Sequence, residues 1–145
     1  MVLLTRLAKV IYRRSSEELL GMRLRQFVTL TYVRDHVGVA QHAVGEALCL
    51  DANNLVLLLN ELEEAGHVQR RRDPSDRRRH LVELTAAGRH ALAAAERAQE
   101  SIEEQVLAPL TLDERATLRE LLARALRGDG EAAESSATEL ELTRS

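Results

Sequence analysis

The sequence contains one cysteine, two prolines, two tyrosines, one phenylalanine and no tryptophan among its 145 residues. A single thiol, Cys49, excludes an intramolecular disulfide. Because aromatic side chains are so few, the core must be built from Leu, Ala and Val, a composition that favours helices. The scarcity of proline lets such helices run unbroken. Cys49 lies in the apolar stretch GEALCLD and is predicted to be buried.

Several features typical of other protein classes are also missing. No apolar run reaches the roughly 18–20 residues that cross a bilayer, and the N-terminus has no small-residue cleavage site, which predicts a cytoplasmic protein. There is no glycine-rich phosphate loop, nucleophile elbow, HExxH motif or paired-cysteine site. Neither an enzyme nor a bound cofactor is therefore expected. The histidines show no i, i+4 pair of the kind that binds a metal on a helix.

Charge is distributed unevenly along the chain. The formal net charge is −3, but residues 70–79, RRRDPSDRRR, carry +4, so the rest of the chain carries −7. Of the 20 basic residues only Lys9 is a lysine. Arginine can grip phosphate with two hydrogen bonds and can enter a narrow minor groove. A concentrated arginine cluster on an otherwise acidic protein predicts a focused contact with an anionic partner.

The spacing of apolar residues predicts a mainly α fold with one small β-hairpin, an α+β arrangement. Helical spacing covers six segments, residues 3–20, 23–37, 39–50, 52–65, 86–107 and 111–127. Between residues 67 and 85 the period changes to two, and the turn residues DPSD separate two short strands. The last helix is predicted to end before Gly128 and to be followed by an acidic, disordered tail.

The order helix, helix, hairpin is that of a helix-turn-helix followed by a wing. In this arrangement the helix at 52–65 lies in the major groove of DNA and the hairpin reaches the neighbouring minor groove. Asn53 and Asn54 on the outward face of that helix can pair with adenine edges. Leu57 shares this face, where it packs on a smaller apolar cluster or touches a thymine methyl group.

The predicted minor-groove contact is the tip of the hairpin. A narrow minor groove has an enhanced negative potential that attracts arginine. Asp76 is expected to orient the Arg78 side chain through a charge-assisted hydrogen bond. Arg77, next to it, is expected to contact phosphate.

The stretch LNELEEAGHVQRRRDPSDRRRHLVELTAAGR resembles the MarR family of winged-helix transcriptional regulators. The match is close from about Val39 to Arg89. It includes the LE..G.V.R passage, the DRR of the wing and the LT..G entry into the long helix. The flanking helices agree with the family in length and order.

The resemblance implies a homodimer that binds a palindromic DNA site, with repression as the commoner mode. The family's N-terminal helix, here within residues 1–22, and its last helices, within residues 89–127, form the dimer interface. Residues 23–88 form the DNA-binding lobe, and residues 128–145 form the tail. The dimer is also expected on physical grounds, because the helices at 3–20 and 111–127 have broad Leu and Ala faces without an obvious partner.

The resemblance also implies roles for individual residues. Asp76 and Arg78 match the family's wing aspartate and minor-groove arginine. Asn53, Asn54 and Leu57 match the base-facing start of its recognition helix, although many members have arginine where this chain has Leu57. Gln41 and His42 begin the preceding helix, where members often touch phosphate, and plain exposure to solvent is the alternative.

Many members of the family bind a small phenolic or anionic effector that weakens DNA binding. Their cleft lies between the dimer region and the DNA-binding lobe. A carboxylate effector requires an arginine, and a phenol requires an apolar wall. The candidate residues for this pocket are Tyr12, Arg13, Arg23, Tyr32 and His36.

The main alternative is a helical interaction protein whose basic hairpin binds an acidic protein partner. Such a partner requires a basic face on the helix at 52–65, which carries amides instead. A regulator that responds to metal or to thiol oxidation is a further alternative. The family's peroxide sensors carry their cysteine in the first helix, and this chain has none there.

Overall fold

The structure is a computed structural model that describes the backbone of residues 2–142 and the side chains of residues 2–128. It contains seven helices and three short strands in this part of the chain. Their bounds are α1 Val2–Arg14, α2 Glu17–Leu20, α3 Leu24–Asp35, β1 Val39–Ala40, α4 Gln41–Ala47, α5 Ala52–Glu64, β2 Val68–Arg72, β3 His80–Leu84, α6 Ala86–Val106 and α7 Leu112–Leu142. Two compact units result, Met1–Val106 and Leu107–Ser145. None of the helices in the described part combines the length and apolar character that a bilayer crossing requires.

Helix α5 forms where the sequence predicts it. Asp51 caps its N-terminus by accepting a hydrogen bond of 3.0 Å from the backbone N–H of Asn54. Gly66 follows its end with a φ of +74°, a left-handed conformation that glycine adopts without strain. The apolar stripe predicted at helical spacing is buried, and its members are Leu55, Leu58, Leu59 and Leu62.

The predicted helix at 3–20 is in fact two helices. α1 ends at Arg14, and the buried Ser15 turns its hydroxyl back to the carbonyl oxygen of Ile11 at 2.9 Å. The same hydroxyl oxygen lies 2.9 Å from Oε1 of Gln99 on α6, so the two carbonyl oxygens share its single hydrogen. Ser16 then caps α2. Serine bonds its own neighbouring backbone in this way and competes with helix continuation, which the apolar periodicity does not reveal.

The hairpin belongs to a three-stranded antiparallel sheet in the order β1-β3-β2. Val68 pairs with Leu84, and Arg70 pairs with Val82, which forms the predicted hairpin. Strand β1 pairs Val39 with Val82 and was not predicted. A two-residue strand is too short to show a period of two, so the sequence signal is absent there.

The core fills the space between the sheet and helices α2 to α6. Its most deeply buried side chains are mostly aliphatic, as the composition predicts: Leu30, Leu59, Leu62, Leu92, Val44, Val82 and Thr29. Helix α1 has no buried residue.

Thr85 begins α6 as predicted. Its hydroxyl accepts a hydrogen bond from the backbone N–H of Gly88 at 2.9 Å and donates to the carbonyl oxygen of Gly66. One turn later, Gly88 lies directly against the backbone of His67. A Cβ at Gly88 would lie 1.9 Å from the His67 carbonyl oxygen. The glycine of the LT..G pattern is therefore required because a larger residue would not fit at the base of the wing.

Helix α7 begins with the predicted capping box. The backbone N–H of Thr111 donates to Glu114 at 2.8 Å, and the N–H of Glu114 donates to the Thr111 hydroxyl at 3.3 Å. Its predicted end before Gly128 is wrong, because the helical backbone continues to Leu142. Residues 129–142 are rich in Glu and Ala, and their helix propensity outweighs the cost of about 1 kcal/mol that each glycine adds. The end of the predicted tail, residues 143–145, lies outside the described residues.

Candidate nucleic-acid interface

The outward face of α5 is open to solvent. Asn53 and Leu57 are both exposed, and Leu57 retains 61% of its surface. Leu57 therefore does not pack on a smaller apolar cluster, and that interpretation is wrong. A leucine exposed beside an asparagine leaves an apolar spot on the face that the sequence assigns to base contacts.

Two of the three asparagines on this helix are already occupied by intramolecular partners. The Asn54 side-chain amide donates to the Asp51 carboxylate, which also accepts the Asn54 backbone N–H. These hydrogen bonds hold the pKa of Asp51 below its usual value. The Asn60 side-chain oxygen accepts a hydrogen bond of 2.6 Å from Nη2 of Arg70. Asn53 thus presents its amide to solvent more freely than Asn54 does.

The base of the wing is fastened to α5 by Arg70. Its Nη2 and Nε donate to Oε2 of Glu63 at 2.6 and 3.1 Å, and its backbone N–H donates to Oε1 at 3.2 Å. The hydrogen bonds from Arg70 lower the pKa of Glu63. The Arg70 side chain is only 19% exposed. Sequence reasoning did not single out this pair, although both residues lie in the LE..G.V.R passage that carries the family resemblance.

A second wing arginine is also neutralised within the sheet. Arg71 pairs with Glu83 on the neighbouring strand at 2.8 Å. The hydrogen bond between them raises the pKa of Arg71 and lowers that of Glu83. The two arginines nearest the base of the hairpin, Arg70 and Arg71, therefore stabilise the fold through ion pairs. These two members of the six-arginine cluster are not free to bind an anionic partner.

The tip of the wing is a compact turn that carries the remaining arginines. The backbone N–H of Asp73 donates to the carbonyl oxygen of Arg79 at 3.0 Å, which closes the loop. The Asp73 carboxylate accepts hydrogen bonds from the hydroxyl and backbone N–H of Ser75, and these lower its pKa. The exposed tip arginines are Arg72, Arg77, Arg78 and Arg79.

Asp76 positions Arg78 through the backbone and not through the predicted side-chain hydrogen bond. Its Oδ1 accepts the Arg78 backbone N–H at 3.0 Å. The distance from Oδ1 to Nε of Arg78 is 3.6 Å, which is an ion pair too long for a hydrogen bond. The Arg78 side chain is 94% exposed and projects from the turn. The turn geometry, set by short local hydrogen bonds, could not be read from the spacing of the two residues.

Gln41 and His42 form the first two positions of α4, as the sequence predicts. His42 is exposed, whereas Gln41 is half-buried. Only His42 is thus fully available at this helix end.

A cleft of about 730 Å³ lies within the first unit, between the end of α1, the start of α3 and the residues that join α4 to α5. Three of the five predicted pocket residues, Tyr12, Arg13 and Arg23, line it. Tyr32 and His36 do not line this cleft. They stack on each other, with ring centroids 4.0 Å apart, at the far end of α3.

The cleft also contains residues that the sequence did not indicate. Arg25 and Glu17 contribute charge, and its apolar wall consists of Leu24, Val28, Leu48 and Leu50. Cys49 is exposed on its rim with a φ of +52°, so the prediction of a buried thiol is wrong. The turn between α4 and α5 places Cys49 in a left-handed conformation. The described residues contain no cluster of three or more potential metal ligands.

Comparison with known proteins connects this geometry to one family. The sequence profile of the MarR family matches residues 22–80. A protein of Thauera aromatica named for the hcr operon is 36% identical over 70% of the chain, and the match spans 61% of that protein's length. The transcriptional regulator HosA of Escherichia coli is 32% identical over 77% of the chain and 82% of HosA.

Solved structures share the same architecture. A mutant of MarR from Escherichia coli, complexed with operator DNA, is 28% identical with a TM-score of 0.67, covering 86% of this chain and 91% of that one. The PcaV transcriptional regulator from Streptomyces coelicolor, in complex with its natural ligand, is 29% identical with a TM-score of 0.67, covering 85% of this chain and 88% of PcaV. The chain belongs to the MarR family of transcriptional regulators.

Proposed function

We propose that this regulator binds a palindromic operator as a homodimer and represses transcription, with α5 in the major groove and the wing tip in the minor groove. The observation that carries the proposal is the wing itself. Arg70 fastens it to α5 through Glu63, and Arg78 projects from its tip with 94% of the side chain exposed. A wing that is held in place at its base and carries exposed arginines at its tip suits a narrow, negative groove. The related MarR complex with operator DNA supports this assignment. Because its target is operator DNA, we assign the protein to the cytoplasm.

The homodimer is supported by apolar surface that each unit leaves uncovered. In α1, Val2 and Leu3 are each 75% exposed, and in α7, Leu112 and Leu126 are 79% and 73% exposed. Exposed apolar side chains concentrated on terminal helices are typical of an interface. A two-fold dimer presents two winged helices, which matches a palindromic site with half-sites about one helical turn apart.

The cleft supports the proposal that an effector binds this protein and releases it from the operator. It combines arginines with an aliphatic wall, a lining that suits a small aromatic or aliphatic anion. The complex of PcaV with its natural ligand supports this proposal, because a protein of the same fold binds a ligand. In this chain Tyr12, Arg13 and Arg23 are the residues that we assign to the ligand.

A binding titration on the DNA beside the protein's own gene tests the proposed function. The purified protein would be titrated at two salt concentrations with unrelated DNA as competitor. We expect a salt-sensitive complex that survives the competitor. Binding that the competitor abolishes would contradict sequence-specific recognition. It would favour the alternative in which the basic wing binds an acidic protein partner.

Arg77 is expected to bind a DNA phosphate. Its side chain is exposed at the tip, next to Arg78. Replacing Arg77 with alanine should reduce the slope of log K against log salt by about 0.9 for each phosphate that the arginine neutralises. Operator affinity measured over a series of salt concentrations gives this slope. An unchanged slope would mean that Arg77 faces solvent in the complex.

A further inference from the structure

An ion pair connects the cleft directly to the recognition helix. Arg23 precedes α3 and lines the cleft, and its guanidinium pairs with the carboxylate of Glu61 on α5. The two side chains remain 50% and 45% exposed. A pair so open to water is weak, and a competing anion can separate it. Arg23 in the cleft is therefore joined to Glu61 on the DNA-binding helix by an ion pair that an anionic ligand can separate.

Glu61 lies on the same row of α5 as the predicted base contacts. Asn53, Leu57 and Glu61 are spaced by four residues, which places them on one face of a helix. At a rise of about 1.5 Å per residue, Glu61 lies about 6 Å along the axis from Leu57. That separation is shorter than the screening length of about 8 Å at physiological salt. A bare carboxylate there repels the DNA phosphates, and Arg23 cancels that charge.

The cleft is itself suited to an anion. Its charged lining residues are Arg13, Arg23 and Arg25 against Glu17, an excess of two positive charges. An aromatic or aliphatic carboxylate could place its apolar part against Leu24 and Val28 and its charge among the arginines.

We propose that the Arg23–Glu61 pair is the element through which an anionic ligand in the cleft weakens DNA binding. The ligand carboxylate takes the Arg23 guanidinium from Glu61, and the uncovered Glu61 charge then repels the operator backbone. By linkage, DNA weakens ligand binding by the same factor. This inference rests on the proposed function, because it requires that α5 faces DNA.

A double-mutant cycle on operator affinity tests the coupling without any ligand. Arg23→Ala should weaken operator binding about five- to tenfold at low salt, because it leaves Glu61 unmasked. Glu61→Gln should bind as well as the unmodified protein or better. The double variant should bind like Glu61→Gln. Arg23→Gln provides a second way to remove the charge, and thermal melting would verify that each variant is folded.

Matched controls separate this mechanism from general electrostatics. Arg14→Ala removes one exposed positive charge outside the cleft lining, and Glu64→Gln removes one exposed acid from α5. Neither should reproduce the cycle. If the double variant stays as weak as Arg23→Ala, Arg23 contacts DNA itself and the inference is overturned. If the unmodified protein binds no operator specifically, the proposed function fails instead.

Sodium benzoate serves as the probe anion for the ligand step. It should weaken operator binding by the unmodified protein and have a several-fold smaller effect on Glu61→Gln. Calorimetric titration should show that Glu61→Gln binds benzoate at least as tightly as the unmodified protein, because Glu61 no longer competes for Arg23. An equal loss of operator affinity in both proteins would overturn the coupling through Glu61. Operator binding of the unmodified protein that benzoate leaves unchanged would overturn the ligand step.

Discussion

Replacing Gly88 with alanine should lower the free energy of unfolding by at least about 3 kcal/mol. The added Cβ would lie 1.9 Å from the carbonyl oxygen of His67 and 2.8 Å from its carbonyl carbon. Both atoms belong to the backbone, so no side-chain rotation can relieve the overlap. That carbonyl oxygen also accepts the backbone N–H of Thr85 at 3.1 Å, and moving it would break this hydrogen bond. Chemical denaturation at matched protein concentration would measure the loss.

Gly128→Ala is the matched control for this substitution. Gly128 lies within α7, and a Cβ there meets no atom within 4 Å. Alanine is favoured over glycine inside a helix, so this variant should gain about 0.5–1 kcal/mol. The same change, glycine to alanine, should therefore lower the free energy of unfolding at Gly88 and raise it at Gly128. If Gly88→Ala were as stable as the unmodified protein, the close approach of α6 to His67 would be wrong.

The overlap at Gly88 has a functional consequence as well. His67 precedes β2, the strand that carries Arg70, and Thr85 follows β3. Both ends of the hairpin thus meet at the start of α6. A displaced His67 would shift the base of the wing relative to α5, so operator affinity should fall together with stability.

The elements that the sequence predicted are those with a strong local signal. Helix α5 was predicted from Leu55, Leu58, Leu59 and Leu62, because this spacing places all four side chains on one buried face of a helix. The hairpin is specified by the change of period and by its turn residues. Thr85 and Thr111 mark helix starts because capping is a contact within three residues.

The sequence failed where the outcome depends on residues far apart in the chain. Asn60 is occupied because Arg70, ten residues later, reaches it. Arg23 and Glu61 are 38 residues apart, and only the fold brings them together. Ser15 ends α1 partly through Gln99, which is 84 residues away. No periodicity or motif contains such pairings, so the distribution of charge on the candidate DNA surface could not be deduced beforehand.

The distribution of charge in the structure differs from the prediction of an arginine cluster on an otherwise acidic protein. Within the wing, Arg70 and Arg71 are paired with Glu63 and Glu83. The free positive charge is thereby restricted to the turn, where it can reach a groove. Two of the three acids of α5 are meanwhile paired with arginines, Glu63 with Arg70 and Glu61 with Arg23. These pairs leave Glu64 as the one acid of α5 without an ion pair among the described residues, which reduces the repulsion that the helix would exert on DNA phosphates.

Replacing Arg78 with alanine should weaken operator binding by about 1–3 kcal/mol in each half-site, roughly 5- to 150-fold. Arg78 differs from the paired wing arginines because 94% of its side chain is exposed and its ion pair with Asp76 is long, at 3.6 Å. The turn fixes its backbone through the hydrogen bond from its N–H to Asp76. Entering the minor groove therefore costs the Arg78 guanidinium little in lost ion pairing.

Two further variants determine what Arg78 contributes. Arg97→Ala on α6 removes one exposed arginine outside the wing and should leave operator affinity nearly unchanged. Arg78→Lys keeps the charge but loses the planar guanidinium, so it should restore part of the affinity and less of the discrimination against unrelated DNA. Competition titrations on operator and unrelated duplexes would measure both quantities. If Arg78→Ala binds the operator as tightly as the unmodified protein, the wing tip does not enter the groove, and the free arginines at the turn act only through general attraction to DNA.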